Sequence, residues 1–139
     1  MSTHLLTPPL HASVDGQGHE PLRLEPAPGM HLAELYECDA VDPSALTAGV
    51  PSAFAVTPDP GGVRFRLVTL PPDPVGHLHR TPTVDLVTVV RGAVSLALAD
   101  GTETPLTAGD TVVLRGAEHA WRNHGREPAL LTVVLLGAA

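Results

Sequence analysis

From Val63 onward the chain is a succession of short runs rich in Val, Leu and Thr, each closed by Gly, Pro or Asp, and this rhythm limits the fold more than any other feature. The runs are Val63 to Leu70, Val84 to Arg91, Val94 to Ala99, Thr111 to Arg115, Ala117 to Asn123 and Ala129 to Leu136. β-Branched residues suit a pleated, half-buried surface, while Gly, Pro and Asp supply turns, so the runs read as antiparallel strands. Asp100-Gly101 is a tight hairpin signal between two of them, and Ala108-Gly109-Asp110 marks another turn. No segment of convincing length has the helical period, and no internal repeat or low-complexity tract competes. Many short strands at this spacing mean a sandwich or a closed barrel.

The upstream part reads differently. Residues 1–29 carry Pro8, Pro9, Pro21, Pro26 and Pro28 with glycines between them and no sustained apolar period, so a flexible Pro-rich arm is expected there, with the domain proper over 30–139. His31 to Tyr36 is strand-like. Asp42-Pro43 and Pro51 then interrupt, which leaves Pro43 to Ala48 as a short turn or helical turn. A length of 139 residues is that of one domain, enough to bury a core without disulfides or structural metal. The single Cys38 makes no internal disulfide and fits a reducing cytoplasm. No stretch of about 18 apolar residues occurs and the N-terminus is polar and Pro-rich, so neither membrane insertion nor an export leader is expected. Eight basic residues, all Arg, stand against 15 acidic ones, giving a net charge of −7 and no basic stripe, which argues against nucleic acid as a partner. Aromatics make up 3% of the chain, so any pocket must be mostly aliphatic.

One stretch concentrates polar chemistry. In Gly76-His77-Leu78-His79-Arg80-Thr81-Pro82-Thr83-Val84-Asp85, the residues His77, His79, Thr81, Thr83 and Asp85 all occupy odd positions, so an extended chain puts them on one face. A second stretch runs Arg115-Gly116-Ala117-Glu118-His119-Ala120-Trp121-Arg122-Asn123. A carboxylate and imidazoles on an inward face cost several kcal/mol unless they find partners. Two arrangements are open. A metal ion satisfies them together, or Asp85 accepts hydrogen bonds from Thr81, Thr83 or a protonated His79, leaving a metal-free acid and base pair.

These two stretches resemble the cupin superfamily, whose first motif ends H-x-H-x3-E-x6-G and whose second runs from a Pro-Gly-Asp turn to G-x2-H-x3-N. Counting back from Gly92, Asp85 falls on the Glu position, Thr81 on the second His and His79 on the first, while Gly116, His119 and Asn123 match the second motif. The resemblance covers about Val63 to Leu136. More narrowly, the pair of motifs is similar to that of small bacterial and fungal single-domain cupins. Thr81 replaces one His, Asp85 is a methylene shorter than Glu, the Pro before Gly109 is absent, and the span from Gly109 to His119 is one residue short.

The resemblance implies an all-β double-stranded β-helix, the cupin jelly-roll barrel. It also implies a metal centre of His79, Asp85 and His119, a two-His, one-carboxylate set that suits non-haem Fe(II). His77, one strand repeat upstream, would complete four ligands that equally suit Zn, Mn or Ni. The implied activity is that of a small-molecule oxygenase, isomerase, decarboxylase or cyclase in secondary or aromatic metabolism, acting on a flat or carboxylated molecule. The alternatives are a metal-free site with Asp85 and His79 as acid and base, or a non-catalytic ligand-binding barrel. No DNA-binding helix pair accompanies the domain.

Thr81 and Thr83 are read as pocket lining, and Trp121 as core, with orienting a flat substrate by stacking as its alternative. Arg64 and Arg66 alternate with Phe65 and Leu67, the pattern of a solvated face, and the alternative is an inward Arg66 that binds a substrate carboxylate. Leu86 to Val90 is apolar on both faces, so cover is expected outside the barrel too, from a homodimer or from the N-terminal segment. His4, His11, His19 and His31 have no ligand spacing, and Cys38 reads as a small buried hydrophobe.

Overall fold

The computed structural model describes residues 13–15, 17–18, 20–51, 53–72 and 77–138. Its elements in chain order are β1 (Ser13–Val14), β2 (Gln17–Gly18), β3 (Leu22–Ala27), β4 (Met30–Cys38), a 3-10 turn (Pro43–Thr47), β5 (Val63–Leu70), β6 (Thr83–Arg91), β7 (Ala93–Leu98), β8 (Glu103–Thr107), β9 (Thr111–Arg115), β10 (His119–Arg122) and β11 (Ala129–Gly137). Apart from the small β1–β2 hairpin they form two antiparallel sheets, ordered β3-β4-β5-β11-β6-β9 and β10-β7-β8. The molecule is an all-β jelly-roll barrel, as the rhythm of short runs requires. No helix among the described residues is long and apolar enough to cross a membrane.

Two strands of the main sheets differ from the sequence reading, and the β1–β2 hairpin also lies in the segment read as a flexible arm. Residues 22–27, placed in the Pro-rich arm, pair with β4 as an edge strand, so the expected boundary near Met30 falls inside a hairpin. Glu103–Thr107 pairs with β7 at the edge of the smaller sheet. Each contains a proline, Pro26 or Pro105, which removes a ladder donor and is tolerated at an edge because that side of the strand has no partner. Pro43–Thr47 forms the expected helical turn, capped by the Asp42 side chain accepting from the Ser44 amide at 2.8 Å. His4, His11 and His19 lie outside the described residues.

The register shows why the interior is not uniform. Residues directly opposite on paired strands share a face. Leu32, Val68, Leu131 and Val89 form one row across β4, β5, β11 and β6. The next interior row is Glu34, Arg66, Val133, Val87 and Val112, and the one after contains Arg64, Leu135, Asp85 and Leu114. The smaller sheet closes over the apolar rows with Val94, Leu96 and Leu106, while Trp121 packs at the margin. One end of the barrel is therefore aliphatic and the other ionic. Gly92, which ends the first motif, has φ of 84° where β6 turns into β7, and a side chain there would meet the Ala129 backbone at 3.0 Å. Only glycine meets both conditions.

On the outside, Leu86, Val90 and Val113 are exposed, and Leu86 lies directly opposite Val113. The described residues of one chain leave this patch uncovered.

Leu131 sits at the centre of the aliphatic rows and is 1% exposed. Leu131→Ala should lower unfolding free energy by about 2–5 kcal/mol, read by urea denaturation, because the rigid sheets around it collapse little. A loss below about 1 kcal/mol would mean that the two sheets do not pack as described.

Candidate functional site

His79 and His119 are paired directly through the backbone. They form an isolated antiparallel bridge, with the His79 amide donating to the His119 carbonyl at 2.8 Å and the His119 amide returning the bond at 2.9 Å. Such a reciprocal pair sets both side chains on one face. The ring centroids are 4.4 Å apart, tilted at 56°. His119 is buried and His79 exposed, so the pair spans the distance from interior to surface. Trp121, half-buried, meets His119 edge-on with centroids 6.2 Å apart and also packs against the core.

Each ring is fixed by its own chain. His79 Nδ1 lies 3.1 Å from the His77 carbonyl, and His119 Nδ1 lies 2.7 Å from the Ala117 carbonyl. A carbonyl only accepts, so each Nδ1 carries the hydrogen. Burial holds His119 below the usual imidazole range; the Ala117 carbonyl and the charge of Asp85 oppose this and His79 reinforces it.

Asp85 and Thr83 on β6 and Thr81 just before it form a chain of hydrogen bonds. The Thr83 hydroxyl donates to Asp85 Oδ1 at 2.6 Å, and Thr81 Oγ1 lies 2.7 Å from Thr83 Oγ1. Asp85 and Thr83 are buried, while Thr81 is half-buried. The odd-position face read from the sequence is therefore real over residues 81–85. His77 is exposed and lends the site its carbonyl.

A metal held by three side chains needs three donors gathered at about 2 Å around one point. Among the described residues no three His, Cys, Asp or Glu side chains are grouped so as to hold an ion. Two imidazoles form a ligand pair, but Asp85 is not grouped with them so as to complete a set. In this arrangement the residues do not fit the three-ligand centre that the motif resemblance implies.

The sequence reading of the arginines needs correction. Arg64 and Arg66 face the interior, at 4% and 7% exposure, and pair with Glu34, which is 0% exposed. Arg66 Nε and Nη2 lie 3.2 and 3.1 Å from the Glu34 carboxylate, and its Nη1 and Nη2 donate to the Val56 and Ala55 carbonyls at 3.3 and 2.8 Å. Phe54 stacks on the guanidinium at 5.5 Å. Arg64 pairs with Glu37 and donates to the Ala53 carbonyl at 3.1 Å. Arg66 is thus committed to Glu34 and to segment 53–56, and is not available as the carboxylate clamp. Burial pushes Glu34 up and Arg66 down, and each partner's charge pulls the other back. The signal the sequence did offer is Glu34, a carboxylate on the same parity as Leu32 inside an apolar strand. Asn123, matched in the second motif, is structural: its amide donates to the Leu70 and Glu127 carbonyls at 3.1 and 2.8 Å.

With this geometry established, comparison with known proteins identifies the family. The cupin domain model (Cupin_2) matches residues 66–135, half of the chain, and the chain belongs to that family. A phomopsin biosynthesis cluster protein C' of Diaporthe leptostromiformis is 38% identical over 76 residues, spanning 52% of this chain and 40% of the relative. A cupin-domain-containing oxidoreductase, srdB, of Neurospora crassa is 35% identical over 100 residues, spanning 68% and 51% respectively. The chain thus matches about half or less of these relatives' length. Among solved structures, an RmlC-like cupin from Shewanella frigidimarina superposes with a TM-score of 0.58 at 16% identity, covering 93% of this chain and 92% of that one. FeII HppE in complex with substrate gives 0.50 at 16% identity, covering 53% and 45%. These likenesses are of fold.

The depressed His119 has a sign that stability can test. Its folded state resists a proton that the unfolded chain accepts near pH 6.5, so its stabilisation is complete above about 6.5 and is lost as pH falls below that value. His119→Gln should flatten the fall in stability between about pH 6.5 and 5 relative to the parent, read by urea titrations at each pH. Parallel curves for the two proteins would show that His119 is not buried neutral.

Proposed function

We propose that this chain is a small-molecule-modifying enzyme of secondary metabolism, with His119 and His79 as proton-transfer groups at the ionic end of the barrel. The observation that carries the reading is the reciprocal backbone bridge that holds two imidazoles 4.4 Å apart beside a buried carboxylate. In the neutral ring, Nδ1–H is spent on a carbonyl, so Nε2 of His119 is the base; when it gains a proton, the Ala117 carbonyl and the Asp85 charge stabilise the cation. His79, nearer to solvent, relays that proton outward. Relatives named for biosynthetic clusters, and one named an oxidoreductase, support a role in tailoring a natural product.

The test is genetic and chemical. Deleting the gene should remove one small-molecule product from the producing organism, and the parent gene should restore it. His119→Ala, shown to be folded by circular dichroism, should lower product formation by about 10²–10⁴-fold. An unchanged metabolite profile on deletion, or full restoration by His119→Ala, would overturn the reading.

A second reading is favoured by the two Nδ1-to-carbonyl bonds, which orient imidazoles as metal ligands are oriented. Here His79 and His119 would hold an Fe, Mn, Ni or Zn ion between them, and the ion would supply Lewis acidity. Elemental analysis of the purified chain decides it. About one ion per chain, lost in both His79→Ala and His119→Ala, supports it. Less than about a tenth, with no thermal shift on adding any of the four ions, rules it out.

A further inference from the structure

Strand β9 is the last strand of the larger sheet, and its register with β6 shows which backbone groups are left over. Gly116 N–H donates to the Thr83 carbonyl and Val89 N–H to the Asp110 carbonyl, at 3.1 and 3.0 Å. Hydrogen-bonded pairs alternate along an antiparallel ladder, so between these two the bonded pairs are Asp85 with Leu114 and Val87 with Val112. The amides and carbonyls of Thr111, Val113 and Arg115 therefore point the other way, where β9 has no neighbouring strand.

An open edge is a template for another strand, and folds usually blunt it. The other edges of the two main sheets are dealt with: β3 and β8 each contain a proline, and β10 is bridged through His119 to His79. Among the described residues β9 has neither device. The outer surface beside it is apolar, with Val113 62% exposed and Leu86, opposite it on β6, 40% exposed. Free amides and an exposed apolar pair thus lie side by side on one strand.

The charges along β9 select the strand that fits. Asp110 precedes it and Arg115 ends it, and both are exposed. When β9 is laid antiparallel on a copy of itself about Val113, the acidic end of each strand meets the basic end of the other. Arg115 then lies opposite Thr111 of the partner subunit and one residue from the partner's Asp110. A parallel arrangement would set each arginine against its own copy, and like charges directly opposite are destabilising. Antiparallel pairing about a two-fold axis also uses up both open edges, so it closes at two copies.

We infer that β9 is a homodimer interface, at which two copies of this chain join antiparallel through residues 111–115 into one continuous sheet of six strands from each copy. Val113 exchanges backbone hydrogen bonds with its own copy at the two-fold axis, Thr111 does so with Arg115 of the partner subunit, and Leu86 packs beside them. The inference goes beyond the proposed function and does not depend on it, because the residues it uses face the outside and the free edge.

Sedimentation equilibrium of the whole chain from about 1 to 100 µM should show a reversible dimer, as a small interface gives. Val113→Pro removes an amide hydrogen that β6 does not use, so the chain should stay folded by circular dichroism while the dimer dissociation constant rises at least about tenfold. Two milder variants test the register without touching the ladder. Thr111→Glu sets a carboxylate opposite Arg115 of the partner subunit and should tighten the dimer about threefold, whereas Thr111→Arg sets like charges there and should weaken it by a similar factor. The inference is overturned by a chain that stays monomeric at about 100 µM, whatever segment then covers the edge, and equally by a dimer that folded Val113→Pro leaves intact. Thr111→Glu and Thr111→Arg acting in the same direction, or not at all, would overturn it too.

Discussion

A carboxylate sealed from water needs opposite charge beside it, and Glu34 obtains that charge from Arg64 and Arg66 on the neighbouring strand. The remainder of the ionic end follows from this requirement. Three charged side chains take up interior positions on β4 and β5, and the rows that hold them mix charge with aliphatic residues of β6, β9 and β11. Asp85 shares an interior row with Arg64, and its negative charge acts on Arg66 and on His119. The ion pairs themselves supply little net stability after desolvation, but removing one member would strand the others.

Much of the barrel could be read from residue order, because strand runs, the Asp100-Gly101 turn and the obligatory Gly92 are local signals. The edge strands β3 and β8 were not, since Pro26 and Pro105 break the pattern at positions where the missing donor is harmless. At the site, parity along one strand placed Thr81, Thr83 and Asp85 together, and motif spacing paired His79 with His119. What sequence could not reveal is which way an alternating strand turns. Arg64 and Arg66 look like a wet face until Glu34, some thirty residues earlier, is brought opposite. That pairing is a property of register, and register is written in no single segment.

Membership of the cupin family fixes the scaffold and leaves the chemistry to a few positions. Thr81 stands where the family motif has a second histidine. A hydroxyl there is shorter than an imidazole and takes its orientation from Thr83 and Asp85. The same substitution removes a donor that a three-ligand centre would use.

The anchoring of segment 53–56 has a wider consequence. Ala53, Ala55 and Val56 are held by Arg64 and Arg66 through peptide carbonyls, and Phe54 alone is held by its side chain. Every amino acid carries the same carbonyl. Three of the four positions over the arginines are therefore free to drift in size and polarity with their attachment intact. A lineage could remodel this part of the rim without disturbing the buried charges beneath it.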